Sequence, residues 1–226
     1  MKRTTILTAF CLLVTGGAPL FADTPQERLQ ESSEVLGDLL SAPDRGIPSD
    51  LLAGAHCVVV VPGMKKAAFV VGAKYGRGFF VCRNEKLAGW GAPAAIRVEG
   101  GSVGFQIGAA ETDVVMLVMN QTGAKKLLQS KFTLGGSADV AAGPVGRSST
   151  AQTDAKMTAQ ILSWSRSRGV FAGVSLQGAT LRQDVDENNQ LYGHPLSNHE
   201  IVMKKIASPA SASELLSVLN KYSPRP

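Results

Sequence analysis

From Cys57 onward the chain is written in short apolar runs: "CVVVVPG", "AAFVVGA", "GFFVCR", "PAAIRVEGG", "SVGFQIGA" and "TDVVMLVMN". They are rich in β-branched and aromatic residues, and Gly, Pro or Asn interrupts them every few positions. Runs this short cannot sustain a helical stripe, so they read as successive strands with tight connections, an antiparallel meander. "QTGAKKLLQS" interrupts them as one short helix, and strands resume at "MTAQILSWSRS" and "GVFAGVSLQGATL". The expected fold is α+β: one β-rich domain, a mostly antiparallel sheet or partly closed barrel with flanking helices.

The flanks supply the helices. Thr24-Pro25-Gln26-Glu27 combines an N-cap, a first-turn proline and a capping-box glutamate, and Leu29, Leu36, Leu39 and Leu40 follow at helical spacing. "SAPDRGIPSD" ends that helix and leads to a short turn at Leu51–Ala53. Ser197 with Glu200, and Ser211 with Glu214, repeat the capping pattern, which places helices within 197–222. Upstream, Lys2 and Arg3 precede an apolar stretch from Ile6 to Val14, too short to span a bilayer, and Leu20-Phe21-Ala22 resembles a cleavage site. Residues 1–22 therefore read as a signal peptide and 23–226 as a single domain exported to the periplasm or cell envelope. Phe10 before Cys11 argues against a lipoprotein. With the signal gone, Cys57 and Cys82 remain, either as a disulfide that export would permit or as two buried thiols.

Candidate chemistry is sparse. The stretch "KFTLGGSADVAAGPVGR" (131–147) is glycine-rich enough to cradle a phosphate, or to make a tight turn in a β-rich chain. Gly100-Gly101-Ser102-Val103-Gly104 matches G-x-S-x-G, with Asp184, Asp186 and His194 downstream in hydrolase order. A glycine-broken strand follows Ser102 where the hydrolase motif needs a helix, so no catalytic residue is assigned. His56 stands alone, and His194 and His199 lack metal-ligand spacing. With no nucleotide-binding motif either, neither a metal nor a cofactor is expected. The formal net charge is +5, of which Lys2 and Arg3 contribute two. That excess is too small for bulk nucleic-acid binding.

Local basic clusters matter more. Lys65 and Lys66 follow Pro62-Gly63 in an expected turn, and Lys74 and Arg77 fall in the next connection, "AKYGRG". Lys125 and Lys126 are read as early in the short helix, where the macrodipole disfavours cations unless an anion is near. Arg166 and Arg168 crowd the turn "SRSRG". Basic turns at strand ends can converge into an anion-binding rim; the competing reading is ordinary solvated loop charge.

Four segments, "PGMKKAAFVVGAKYGRG", "GGSVGFQIGAAETDVV", "KFTLGGSADVAAGPVGR" and "SWSRSRGVFAGVSLQGATLRQD", together resemble the SYLF domain family in the same order, over roughly residues 28–193. Eukaryotic members bind phosphoinositide-rich membranes, some yeast relatives bind and bundle actin, and bacterial members are exported lipid-binding domains. The resemblance implies lipid recognition without catalysis, and a framework role for "FTLGGSADVAAGPVG" as a close-packed β connection. In eukaryotic relatives an N-terminal amphipathic helix grips the membrane. Here that helix carries Glu27, Glu31, Glu34 and Asp38 with Arg28 nearly alone against them. It is expected to pack on the sheet instead.

The leading expectation is a non-enzymatic domain that recognises anionic phospholipid headgroups, phosphoinositide-like in charge, at a membrane surface through the lysine and arginine turns. The alternative is a structural or adhesive envelope protein with a protein partner on its sheet edges. A serine hydrolase ranks third.

Overall fold

The computed structural model describes residues 23–42, 46–68, 71–83, 89–103, 108–136, 139–145, 159–167 and 169–223; the expected signal segment and Arg168 lie outside the described residues. Nine strands form one curled sheet: β1 (Cys57–Ala68), β2 (Val71–Cys82), β3 (Ala94–Val103), β4 (Gly108–Val118), β5 (Lys131–Thr133), β6 (Val140–Ala142), β7 (Ile161–Ser167), β8 (Val170–Gly173) and β9 (Thr180–Gln183). Their order is β5-β9-β3-β2-β1-β4-β7-β6, with β8 added on β7. Only the β6–β7 pair among these is parallel. The α+β expectation holds.

The helices are α1 (Pro25–Ser41), α2 (Ser49–Gly54), α3 (Gln121–Leu127), α4 (Val185–Tyr192), α5 (Asn198–Met203) and α6 (Ser213–Tyr222). The Thr24 capping box forms, with Glu27 N–H donating to Thr24 Oγ1 at 3.2 Å and Thr24 N–H to Glu27 Oε2 at 2.8 Å. Ser197 and Glu200 form a second box at α5. Ser211 and Glu214 do not: Ala210–Ala212 is a 3-10 turn, and α6 starts from Ala212 without a side-chain cap. The six-residue α2 contains the expected turn at Leu51–Ala53.

Both faces of the sheet are covered. On one, Val58, Val60, Phe79, Val81, Val115, Leu117 and Trp164 meet Leu29, Leu36 and Leu39 of α1 and Leu215 and Leu219 of α6. On the other, Val59, Val61, Met64, Phe80, Ile96, Val114 and Met116 lie beneath Leu127, Leu134, Leu176, Leu181 and Ile201. Helix α1 is thus a core element, as its acidic polar side implied. A strand buried on both faces needs apolar residues at consecutive positions, and this is why "CVVVV" shows no alternation.

Pro62-Gly63 does not reverse the chain. Between the Val60–Phe79 and Lys65–Tyr75 pairs, β1 carries one residue more than β2. The same excess over β4 lies between the Val61–Val114 and Met64–Thr112 pairs. This is a β-bulge in the middle of the sheet. A proline is tolerated there because a bulge leaves a ladder position unfilled. Gly63 has φ +55°, and its N–H donates to Asp113 Oδ1 at 2.9 Å. The strand continues through Lys65 and Lys66 to Ala68, so "AAFVVGA" is split between β1 and β2.

The glycine-rich stretch is a close-packed connection. Gly143 lies flat against the indole of Trp164, where an added Cβ would overlap the ring, and Trp164 Nε1 donates to the Pro144 carbonyl at 3.0 Å. Cys57 and Cys82 are directly opposed across β1 and β2 and form a disulfide. Gly143→Ala is expected to lower unfolding stability by about 3 kcal/mol, because the methyl must displace a buried tryptophan. Gly136→Ala, with nothing within 4 Å of the new methyl, should stay within about 0.5 kcal/mol of the parent. Urea denaturation of the two variants makes the comparison, and equal midpoints would contradict the packing argument.

Candidate anion-binding site

The expected basic rim divides into three groups. Arg77, Lys126 and Arg166 are held by carboxylates. Arg77 lies within β2, not in a connection, and faces the α1 side of the sheet. It pairs with Asp184 at 2.7 Å and Glu187 at 2.8 Å, both buried, while the buried Arg28 of α1 reaches Glu187 from the other side. Arg166 lies in β7, not in a turn, and Nε donates to Asp113 Oδ2 at 2.7 Å while Asp38 takes its Nη1. Asp113 therefore joins Arg166 to the Gly63 bulge. Lys126 donates to Asp139 at 2.6 Å and holds that carboxyl below its usual range. Lys125 and Lys126 occupy the last turn of α3, not its first, where the macrodipole favours cations.

Lys65, Lys66 and Lys74 form the second group. None of them has an ion pair among the described residues. All three lie in strands, not turns. The bulge inverts the side-chain alternation of β1. Lys65 therefore points to the α1 side, opposite exposed Tyr75 and Glu111, and Lys66 points to the other side, directly opposite Lys74. Like charges at opposed positions destabilise a sheet. Burial, and then Lys74, lower the Lys66 pKa below its ordinary 10.5.

Small residues surround this pair. Gly72 and Gly76 flank Lys74 along β2, Ala110 lies opposite Lys66 on β4, and Gly100 lies opposite Lys74 on β3. The stem of Lys74 rests on Gly100, with Cγ 3.2 Å from where a Cβ would stand. Thr112 lies diagonally beside Lys66 on the same face, 8% exposed, and its hydroxyl has no hydrogen-bond partner. Two lysines without ion pairs and an unused hydroxyl donor above a floor of glycines and one alanine suit a multiply charged oxyanion. Thr112 carried no signal in the sequence, because its role depends on strand register.

The third place is a cavity of 910 Å³ at the opposite end of β1, lined in part by His56, Arg83, Trp90, Lys125, His199 and Lys205. Lys125 alone of the expected rim residues reaches it. Of the residues in hydrolase order, Ser102 lies within β3. Asp184 is the N-cap of α4, accepting from Glu187 N–H at 3.2 Å, and is otherwise occupied by Arg77. Asp186 and His194 are exposed.

Among the described residues, the curled sheet carries at one end of β1 and β2 a pair of opposed lysines without an ion-pair partner. The family described as "Ysc84: Las17-binding protein actin regulator" matches residues 99–222. The chain is 31% identical over 195 residues to SH3 domain-containing YSC84-like protein 1 of Rattus norvegicus, covering 86% of this chain and 56% of that protein. It is 33% identical over 186 residues to the Xenopus laevis protein of the same name, covering 80% and 54%. LAS seventeen-binding protein 3 of Saccharomyces cerevisiae matches at 33% over 179 residues, covering 78% and 39%. The chain belongs to the Ysc84/SYLF family, and spans about half the length, or less, of these relatives.

Replacing Arg77 distinguishes a structural cation from a ligand contact. Arg77→Ala leaves Asp184 and Glu187 buried with fewer partners, so stability should fall by about 3 kcal/mol. Chemical denaturation reads this, and an unchanged midpoint would return Arg77 to the exposed rim.

Proposed function

We propose that the protein is a non-enzymatic domain that binds anionic phospholipid headgroups at a membrane surface in the cell envelope, after export and removal of residues 1–22. The observation that carries this reading is the Lys66–Lys74 pair, two half-buried lysines directly opposed across β1 and β2 without an ion-pair partner among the described residues. A phosphate between them offsets their repulsion and accepts the Thr112 hydroxyl. The sequence from Lys65 to Tyr75 contains three lysines and no acid. Tyr75, opposite Lys65 on the α1 side of the same sheet end, is 46% exposed, a side chain suited to the membrane interface. The family's description speaks of actin regulation and the yeast relative's name of binding, and both support a role without catalysis. Lys125, Lys126, Arg77 and Arg166 fall outside the headgroup site.

Sedimentation of the mature chain with vesicles tests the reading. Vesicles containing phosphatidylglycerol should be bound and purely phosphatidylcholine vesicles should not, with binding weakened by salt. Each lysine near such a surface contributes about 1 kcal/mol, so Lys66→Ala with Lys74→Ala should weaken binding by roughly tenfold or more. A matched Lys131→Ala with Lys221→Ala variant should bind like the parent. Equal loss in both reduces the effect to diffuse charge. Binding to neither vesicle would favour a protein partner, as the name Las17-binding implies for the relative.

The pH dependence has a defined sign. Because the Lys66 pKa is lowered, its charge is lost below 10.5 as pH rises. Vesicle binding should therefore weaken on the alkaline side before an ordinary lysine titrates, and Lys66→Arg should move that decline upward. A pH profile that Lys66→Arg leaves unchanged would remove Lys66 from the site.

A further inference from the structure

The 910 Å³ cavity lies on the same side of the sheet as Lys66 but at the other end of β1. Lys66 lies nine positions beyond Cys57 along the strand, a span of about 30 Å at strand rise, so the two places are distinct. The Cys57–Cys82 disulfide and Ala92 form part of its wall. Ala124 and Leu128 enter from α3 and its C-cap, and Val202 and Ile206 from α5 and the segment after it. The apolar part is continuous with the buried core through Ile201.

Among the described residues that line the cavity, Arg83, Lys125 and Lys205 are basic, His56 and His199 join them, and none is Asp or Glu. Arg83 stacks over Trp90 at 4.0 Å and donates to the Ala55 carbonyl at 3.1 Å, which fixes the guanidinium in the wall. Lys125 and Lys205 are exposed and have no ion pair among the described residues. The Trp90 indole N–H is shielded from water and has no acceptor. A cavity of this size is at the upper end of small-ligand sites. An apolar interior with cations and an unused donor selects a molecule with one apolar tail and an anionic head.

We infer that this cavity binds a single-chain anionic amphiphile, its chain between α3, α5 and the disulfide and its head near Lys125 and Lys205. The site stands apart from the headgroup cleft, and either can exist without the other. Carboxylate and phosphate monoester heads share this chemistry, so fatty acids and lysophosphatidates are both candidate sources.

Calorimetric titration of the mature chain with hexadecanoate, below its micelle concentration, should show one site. Affinity should rise by roughly tenfold for each two carbons from dodecanoate to hexadecanoate, as buried methylenes require. Hexadecyl phosphate binding tighter than hexadecanoate assigns the phosphate source, and the reverse order assigns the carboxylate source. Hexadecyltrimethylammonium should not bind. Lys125→Ala with Lys205→Ala, two exposed positions, should weaken both anions by about tenfold and leave the thermal midpoint unchanged. Lys66→Ala with Lys74→Ala should leave hexadecanoate affinity intact even where vesicle binding is lost. Equal binding of the ammonium amphiphile, affinity independent of chain length, or no saturable site would each overturn the inference.

Discussion

The structure turns on one extra residue in a strand that has no free face. β1 is covered on both sides, so each of its side chains has an assigned layer, and a shift of one position would exchange the layers. The Pro62-Gly63 bulge makes that exchange halfway along. Before it, odd-numbered Val59 and Val61 face Leu127 and Ile201; after it, even-numbered Met64 and Lys66 take that side. The bulge is held by Gly63 N–H on Asp113 and by Arg166 on the same carboxylate. The meeting of Lys66 with Lys74, and the separation of Lys65 from both, follow from this local geometry.

The same division sorts the charges. On the α1 side, four arginines are matched: Arg28 and Arg77 share Glu187, Arg77 and Arg97 approach Asp184, and Arg166 holds Asp38 and Asp113. These contacts tie α1 and α4 to the sheet and contain too much buried charge to be removed singly without cost. On the opposite side, the lysines at the far end of β1 and β2 lack carboxylates. The paired Arg77 and the unpaired Lys74 thus lie on opposite faces of one sheet, although they are three residues apart in the sequence.

Much of the fold was legible because it depends on local patterns. Thr24-Pro25 and the leucines after it specify α1 without reference to the sheet, and the unalternating valines announce a strand covered on both faces. What failed depended on distant partners. Pro62-Gly63 has the composition of a turn, and only pairing with β2 and β4 makes it a bulge. Asp184 and Glu187 have the spacing of a helix N-terminus, yet "DVDENNQLY" has too few apolar residues to advertise α4. The eight basic residues were found by type, but charge alone does not reveal which have partners: Asp139, Asp184 and Glu187 lie far along the chain or across the sheet. Thr112, Trp90 and Lys205 carried no signal, since a hydroxyl, an indole and a surface lysine become informative only when their neighbours are known.

The acidic character of α1 limits how the domain can meet a charged surface. Glu27, Glu31, Glu34 and Asp38 keep its outward side negative, while Leu29, Leu36 and Leu39 are consumed by the core. A helix in that state repels an anionic surface and has no apolar stripe left to insert. Under the proposed function, approach to a membrane must therefore begin at the end of the β1–β2 hairpin that carries Lys65, Lys66, Lys74 and Tyr75. The acids of α1 then favour orientations that turn the helix layer away. The charge asymmetry between the two layers serves as an orienting device, and it operates at a distance set by the ionic strength.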